Sequence, residues 1–131
     1  MNSNDVRKWL DGYRRAWIDL DPDAAAALFT EDSLYREEPF KDAFQGSKGV
    51  RAYWAQVTAT QGDVKLQWGT PFVDGDRTAV EWWVTLTNGG APVTLAGTMI
   101  LLFNSDGRCR ELREYWHFGQ GHKVPPAGWG K

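Results

Sequence analysis

Apolar residues in the first twenty positions recur at intervals of three and four. Val6, Trp9, Leu10, Tyr13, Trp17 and Leu20 form one stripe, which predicts an amphipathic helix. Asp21-Pro22-Asp23 closes that helix and opens a second. Asp21 suits the N-cap and Pro22 the first helical position, with Ala25, Leu28 and Phe29 as a short inner face. Ser33 to Tyr35 reads as a short strand, and Arg36 to Gly46, which contains Pro39, as a loop. Ser47 is placed to cap a third helix whose face is Val50, Tyr53, Trp54 and Val57. After Gly62 the period drops to two, with Val64, Leu66 and Trp68 alternating with polar residues. Three turn signals follow: Asp74-Gly75, Asn88-Gly89-Gly90 and Ser105-Asp106-Gly107. The segments between them are rich in Val, Thr, Trp, Leu and Phe, so four antiparallel strands in meander order are predicted. Direct hairpins leave no crossovers for a parallel sheet. Three helices ahead of a long curved sheet bury their faces only if the sheet wraps around them, which gives an α+β cone with one open end.

The tail from Gly119 to Lys131 carries Pro125-Pro126 and several glycines and reads as irregular. Its Trp129 either folds back, over a pocket mouth or across a partner, or belongs to a disordered terminus. A length of 131 residues fits one domain, 1–131, with no linker or repeat, and 42% apolar residues is ordinary for a globular chain. The net charge of −2, with scattered positive residues, gives no electrostatic footprint for nucleic acid or an anionic membrane. No apolar run approaches the ~20 residues of a membrane span. The opening MNSNDVRKWL has neither the apolar stretch nor the cleavage site of a signal peptide. A single cysteine, Cys109, has no internal disulfide partner and reads as a small buried hydrophobe, which fits a reducing compartment. A cytoplasmic location is the expectation.

Eight tryptophans change the picture most. Trp is large and its N–H wants a partner, so this number in a small domain points to an aromatic core that opens onto a cavity or an interface. His117 and His122 have no converging ligand set, and no GxGxxG, P-loop, CxxC, HExxH or GxSxG occurs, so no metal or cofactor is expected.

The order of elements, together with Leu28 to Ser33, Tyr35 to Phe40, Gly46 to Trp54, Ala79 to Trp82, Phe103 to Gly107 and Glu111 to Trp116, resembles the nuclear transport factor 2-like superfamily in its SnoaL-like branch. These stretches cover nearly the whole chain. The resemblance implies three N-terminal helices packed in a curved antiparallel sheet. It does not imply one function, because the fold hosts isomerases, cyclases, hydrolases, dehydratases and carriers. Compared with the ketosteroid isomerases, Glu38 before Pro39 stands where that family has its general base, and Tyr13 where it has a phenol oxyanion donor. Its protonated aspartate falls at Met99, which donates nothing. Losing one such donor costs on the order of 10²–10³ in rate, so that isomerisation itself is not expected. The comparison also implies that Glu81, Trp83 and Met99 face the interior, and that Leu112, Glu114 and Trp116 share one face of the last strand.

The candidate catalytic residues are therefore Glu38, Glu81, Glu114 and Tyr13, with Glu37 replacing Glu38 if the loop register shifts by one. A lone carboxylate beside interior tryptophans would have a raised pKa and make a candidate acid or base. Each carboxylate could equally be paired or solvated, and Tyr13 could simply be core. The candidate ligand wall is Trp17, Tyr35, Phe40, Trp54, Trp83, Met99, Leu112 and Trp116, suited to a small apolar or polycyclic molecule. Three roles stay open: a cofactor-independent acid–base enzyme (isomerase, cyclase or dehydratase), a carrier or sensor, and an interaction module. With Trp83 inside, Trp82, Val84 and Leu86 would lie exposed outside, and such a patch predicts a homodimer.

Overall fold

A computed structural model describes residues 1–131. Helix α1 spans Ser3–Ile18. Its start is fixed by a capping box in which Asn2 accepts from the Asp5 amide at 2.9 Å while Asp5 accepts from the Asn2 amide at 3.0 Å. Val6, Trp9, Leu10, Tyr13 and Ala16 are its buried stripe. Asp21 caps α2 (Pro22–Ala26) by accepting from the Ala24 amide at 3.1 Å. That helix stops before Leu28, and Phe29 opens β1 (Phe29–Arg36).

Strand β2 (Phe44–Gln45) pairs back onto β1, and α3 (Gly46–Thr58) leaves directly from it. Ser47 is already inside α3 and does not cap it, and the N-cap Gln45 makes no side-chain cap bond. The chain turns at Gly46 instead, with φ of 71°, where a Cβ would lie 2.6 Å from the Glu31 carbonyl oxygen. Helix α1 packs on β3 (Gln61–Trp68) and α2, and α3 packs on α2 and β1. No helix is long and apolar enough to cross a membrane.

The remaining strands are β4 (Phe72–Asp74), β5 (Arg77–Asn88), β6 (Ala91–Phe103) and β7 (Cys109–Gln120). One seven-stranded curved sheet runs in the order β2-β1-β7-β6-β5-β3. The stretch β3-β5-β6-β7 is the antiparallel meander. Two features go beyond it. Strand β1 lies parallel to β7, with Tyr35 opposite Leu112, so the sheet is mixed. Strand β4 continues the β3 edge along β5, so the Asp74-Gly75 turn joins β4 to β5. Between β3 and β4 the edge opens at Gly69–Pro71, and the Thr70 amide donates to the Gly130 carbonyl of the tail.

The inner face of β5 is Thr78, Val80, Trp82, Val84 and Leu86, all buried. This reverses the interior placement of Glu81 and Trp83: both lie on the outer face. Strand pairing fixes the correction. Met99 is buried and stands opposite Val80 on β5 and Glu114 on β7, so these three share the inner face and Glu81 does not. Trp82, Val84 and Leu86 are core, which removes the exposed patch on which a homodimer was expected. The tail beyond Gln120 crosses the outer face. The Trp83 indole donates to the Lys123 carbonyl at 2.8 Å and meets Trp129 edge-on, with centroids 5.8 Å apart. Trp129 thus covers Trp83 and is not among the residues at the cavity mouth.

Candidate active site

A cavity of about 500 Å³ opens at one end of the cone. Helix α1 contributes Tyr13 and Trp17, α3 contributes Tyr53 and Trp54, and the inner sheet face contributes Tyr35, Trp82, Leu95, Glu114 and Trp116. Room between Trp82 and Trp116 comes from Gly97, which pairs with both. Strand β7 approaches so closely there that a Cβ at Gly97 would sit 2.7 Å from the Trp116 Cβ.

Deep on this wall, Glu114 is buried. Its Oε1 accepts from the Tyr35 hydroxyl at 3.0 Å, and the Tyr13 hydroxyl lies 3.4 Å from the same oxygen and 2.9 Å from the Tyr35 hydroxyl. Both hydrogen bonds fall on Oε1, Oε2 makes none, and Glu114 is among the residues lining the cavity. No Lys or Arg pairs with this carboxyl. Burial pushes Glu114 up to about 8, the charge of Glu37 adds to that, and the two tyrosine hydroxyls pull the other way. Burial first, and then the neighbouring Glu114, hold the Tyr13 and Tyr35 phenols well above their ordinary range. Burial thus favours the neutral carboxylic acid on the wall of an aromatic cavity.

Glu37 stands at the mouth. Its carboxylate lies 3.4 Å from Lys41 Nζ and accepts from the Tyr53 hydroxyl at 3.4 Å. The Trp116 indole pins this loop by donating to the Glu37 carbonyl at 2.7 Å. Tyr53 in turn stacks on Phe44, with centroids 4.4 Å apart.

Of the residues singled out by sequence, the structure gathers Tyr13, Trp17, Tyr35, Trp54, Glu114 and Trp116 around this cavity. Met99 and Leu112 are fully buried beneath its floor and do not line it. Phe40 is 96% exposed on the loop between β1 and β2 and does not line the cavity. Glu38 turns outward to Lys41 at 3.3 Å, and the cavity carboxylate of the pair is Glu37. Glu81 and Trp83 are on the opposite face. Trp82, Tyr53, Phe44 and Gln61 line the cavity without having been singled out for it. The alternation Val80-Trp82-Val84-Leu86 held the signal for Trp82, and the α3 stripe held it for Tyr53. Cys109 is buried, and burial pushes its thiol up to about 12, so it has no thiolate to offer.

The hydroxyl bonds to Oε1 favour the ionised carboxylate, so removing one should raise the titration further. In Tyr35→Phe the pH at which Glu114 ionises should move upward from about 8. Infrared difference spectra of the carboxyl C=O band read this directly. A downward move would show that the hydroxyls support the neutral acid instead.

The sequence model of the SnoaL-like domain matches residues 6–112. No curated protein matches the chain. Solved structures resemble it in fold. One is a hypothetical protein with a ketosteroid isomerase-like fold from Catenulispora acidiphila, in complex with trimethylamine (18% identity, 82% of this chain and 83% of that one, TM-score 0.73). A second is SalBIII, an epoxide hydrolase/cyclase-like enzyme of pyran ring formation in the polyether salinomycin (21% identity, 87% and 94%, TM-score 0.76). A third is an LEH-like epoxide hydrolase of Mycobacterium tuberculosis (17% identity, 88% and 84%, TM-score 0.73).

Proposed function

The chain belongs to the SnoaL-like domain family, and on that footing we propose that it binds a small, largely apolar molecule in the cone and exchanges a proton with it through Glu114, without a cofactor. One observation carries this: a buried carboxyl on the cavity wall with one oxygen held by two tyrosine hydroxyls, the other without a hydrogen bond, and no cation beside it. An acid whose titration lies near neutral pH is matched to general acid–base work. Glu37 supplies a carboxylate of different surroundings on the same cavity, and two carboxyls held in unlike environments can divide the acid and base roles. Ring opening or closure at an oxygen, enolisation, and proton removal beside a nitrogen are all within reach of such a pair. The similarity in fold to SalBIII, an epoxide hydrolase/cyclase-like enzyme, is consistent with the first of these.

The test is a panel of small epoxides, enolisable ketones and tertiary amines incubated with the protein in D₂O. The wild type should open a ring or incorporate deuterium at carbon for at least one class. Glu114→Gln should lower that rate by about 10²-fold or more. An undiminished rate in the variant would remove Glu114 from the chemistry, and binding without turnover across the panel would leave a carrier.

A further inference from the structure

Building on the proton-transfer role of Glu114 proposed above, we infer that the molecule taken into the cone carries a positively charged nitrogen, a tertiary or quaternary alkylammonium group seated between the aromatic rings and Glu114. A carboxyl removed from water either keeps its proton or, once ionised, is given a cationic partner. The groups facing Glu114 are the Tyr13 hydroxyl from α1, the Tyr35 hydroxyl from β1, Tyr53 from α3, and Glu37 from the loop after β1. Met99 stands beside it on β6. None is a cation. Arg113, its chain neighbour, pairs with Glu111. The one basic side chain at the cavity, Lys41, is 62% exposed at the mouth and already shared between Glu37 at 3.4 Å and Glu38 at 3.3 Å. A cation to pair with the ionised form of Glu114 would therefore come with the ligand.

The walls suit such a partner. Tyr13 and Trp54 stand at 89° with centroids 5.2 Å apart, Tyr13 and Trp17 at 85° and 6.3 Å, and Trp17 and Trp82 at 59° and 6.0 Å. All four of these rings line the cavity, and an alkylammonium within about 6 Å of a ring face is attracted by its quadrupole. An anionic ligand would instead meet two carboxyls. When the cation enters, the Glu114 O–H bond breaks and its proton passes to solvent. The carboxylate keeps its hydroxyl bonds on Oε1 and pairs with the ammonium through Oε2. No other bond is made or broken. Because burial holds the unliganded acid up to about 8, this proton release is expected at neutral pH and absent well above 8.

The experiment is calorimetric titration of the full chain with tetramethylammonium, choline and benzyltrimethylammonium, with 3,3-dimethylbutan-1-ol as the uncharged isostere of choline. Two buffers of different ionisation enthalpy count the protons. At least one ammonium probe should bind, with choline about tenfold or more tighter than its isostere near pH 8. Close to one proton should leave per cation near pH 7, and affinity should rise toward about tenfold per pH unit until about 8. Glu114→Gln should abolish the proton count and reduce the preference to what the aromatic walls alone provide. The wild-type proton count stands alone if that variant fails to fold. Failure of all three cations to bind, or equal binding of the isostere without proton release, overturns the ammonium assignment. In that event a Glu114 that still titrates near 8, with turnover of a neutral substrate lost in Glu114→Gln, keeps the proton-transfer role. A Glu114 that titrates as an ordinary glutamate removes both.

Discussion

Glu114→Gln should leave the protein about as stable as the wild type near pH 4.5 and make it more stable, by on the order of 4 kcal/mol, at pH 8.5–9. The sign follows from where the proton sits. Unfolded, Glu114 has the ordinary value of 4.5; folded, burial raises it to about 8. Below 4.5 both states hold the proton and stability is at its full value. As pH rises from there, the unfolded chain ionises while the folded chain does not, so the wild type loses roughly 1.4 kcal/mol per unit. The loss levels off above about 8, once the folded carboxyl ionises as well. Glutamine keeps an oxygen to accept from Tyr35 and Tyr13 and has no proton to lose, so this slope disappears. Urea unfolding of both proteins at the two pH values measures the difference. A variant destabilised by several kcal/mol at high pH would mean that the native carboxylate is ionised and paired, because removing one partner strands the other.

Trp82→Ala and Trp83→Ala, adjacent in sequence, should differ sharply. Trp82 is 3% exposed and packs near Trp17 on the inner face. Its truncation should cost about 3–5 kcal/mol, the transfer term plus the void left behind. Trp83 lies on the outer face and meets the crossing tail through Lys123 and Trp129. Its loss should cost about 1 kcal/mol or less and instead loosen residues 121–131. Urea midpoints measure the first effect and limited proteolysis of the tail the second. Equal losses, or a larger loss at Trp83, would place β5 in the opposite register.

This pair also marks where the sequence was read well and where it was not. The helical stripe of α1, the Asp21-Pro22 start of α2 and the three turn signals each follow from local rules, and each is present in the fold. Strand facing on β5 was equally legible, since Val80, Trp82, Val84 and Leu86 alternate with Glu81, Trp83, Thr85 and Thr87. The family comparison set that alternation aside in favour of Glu81, and a slip of one residue then turned every side chain of the strand over. Met99 and Glu81 could not both face inward once pairing placed Val80 opposite Met99. The parallel pairing of β1 on β7 joins segments far apart in sequence, and no local pattern encodes it. The same holds for the site. Glu114, Tyr13 and Tyr35 were each visible as candidates, but their convergence on one carboxyl oxygen depends on α1 lying across two strands. Glu37 rather than Glu38 reaches the cavity because Trp116 pins its carbonyl, a contact between residues 79 positions apart.

Whether the cone holds a buried, uncompensated acid is read from a ¹³C NMR titration of the glutamate side-chain carboxyls, with Glu114 assigned by its absence in Glu114→Gln. A midpoint near 8 for Glu114 is the expected result. A midpoint near the ordinary 4.5 would contradict it, since that carboxyl would then be ionised at neutral pH and either solvated or paired.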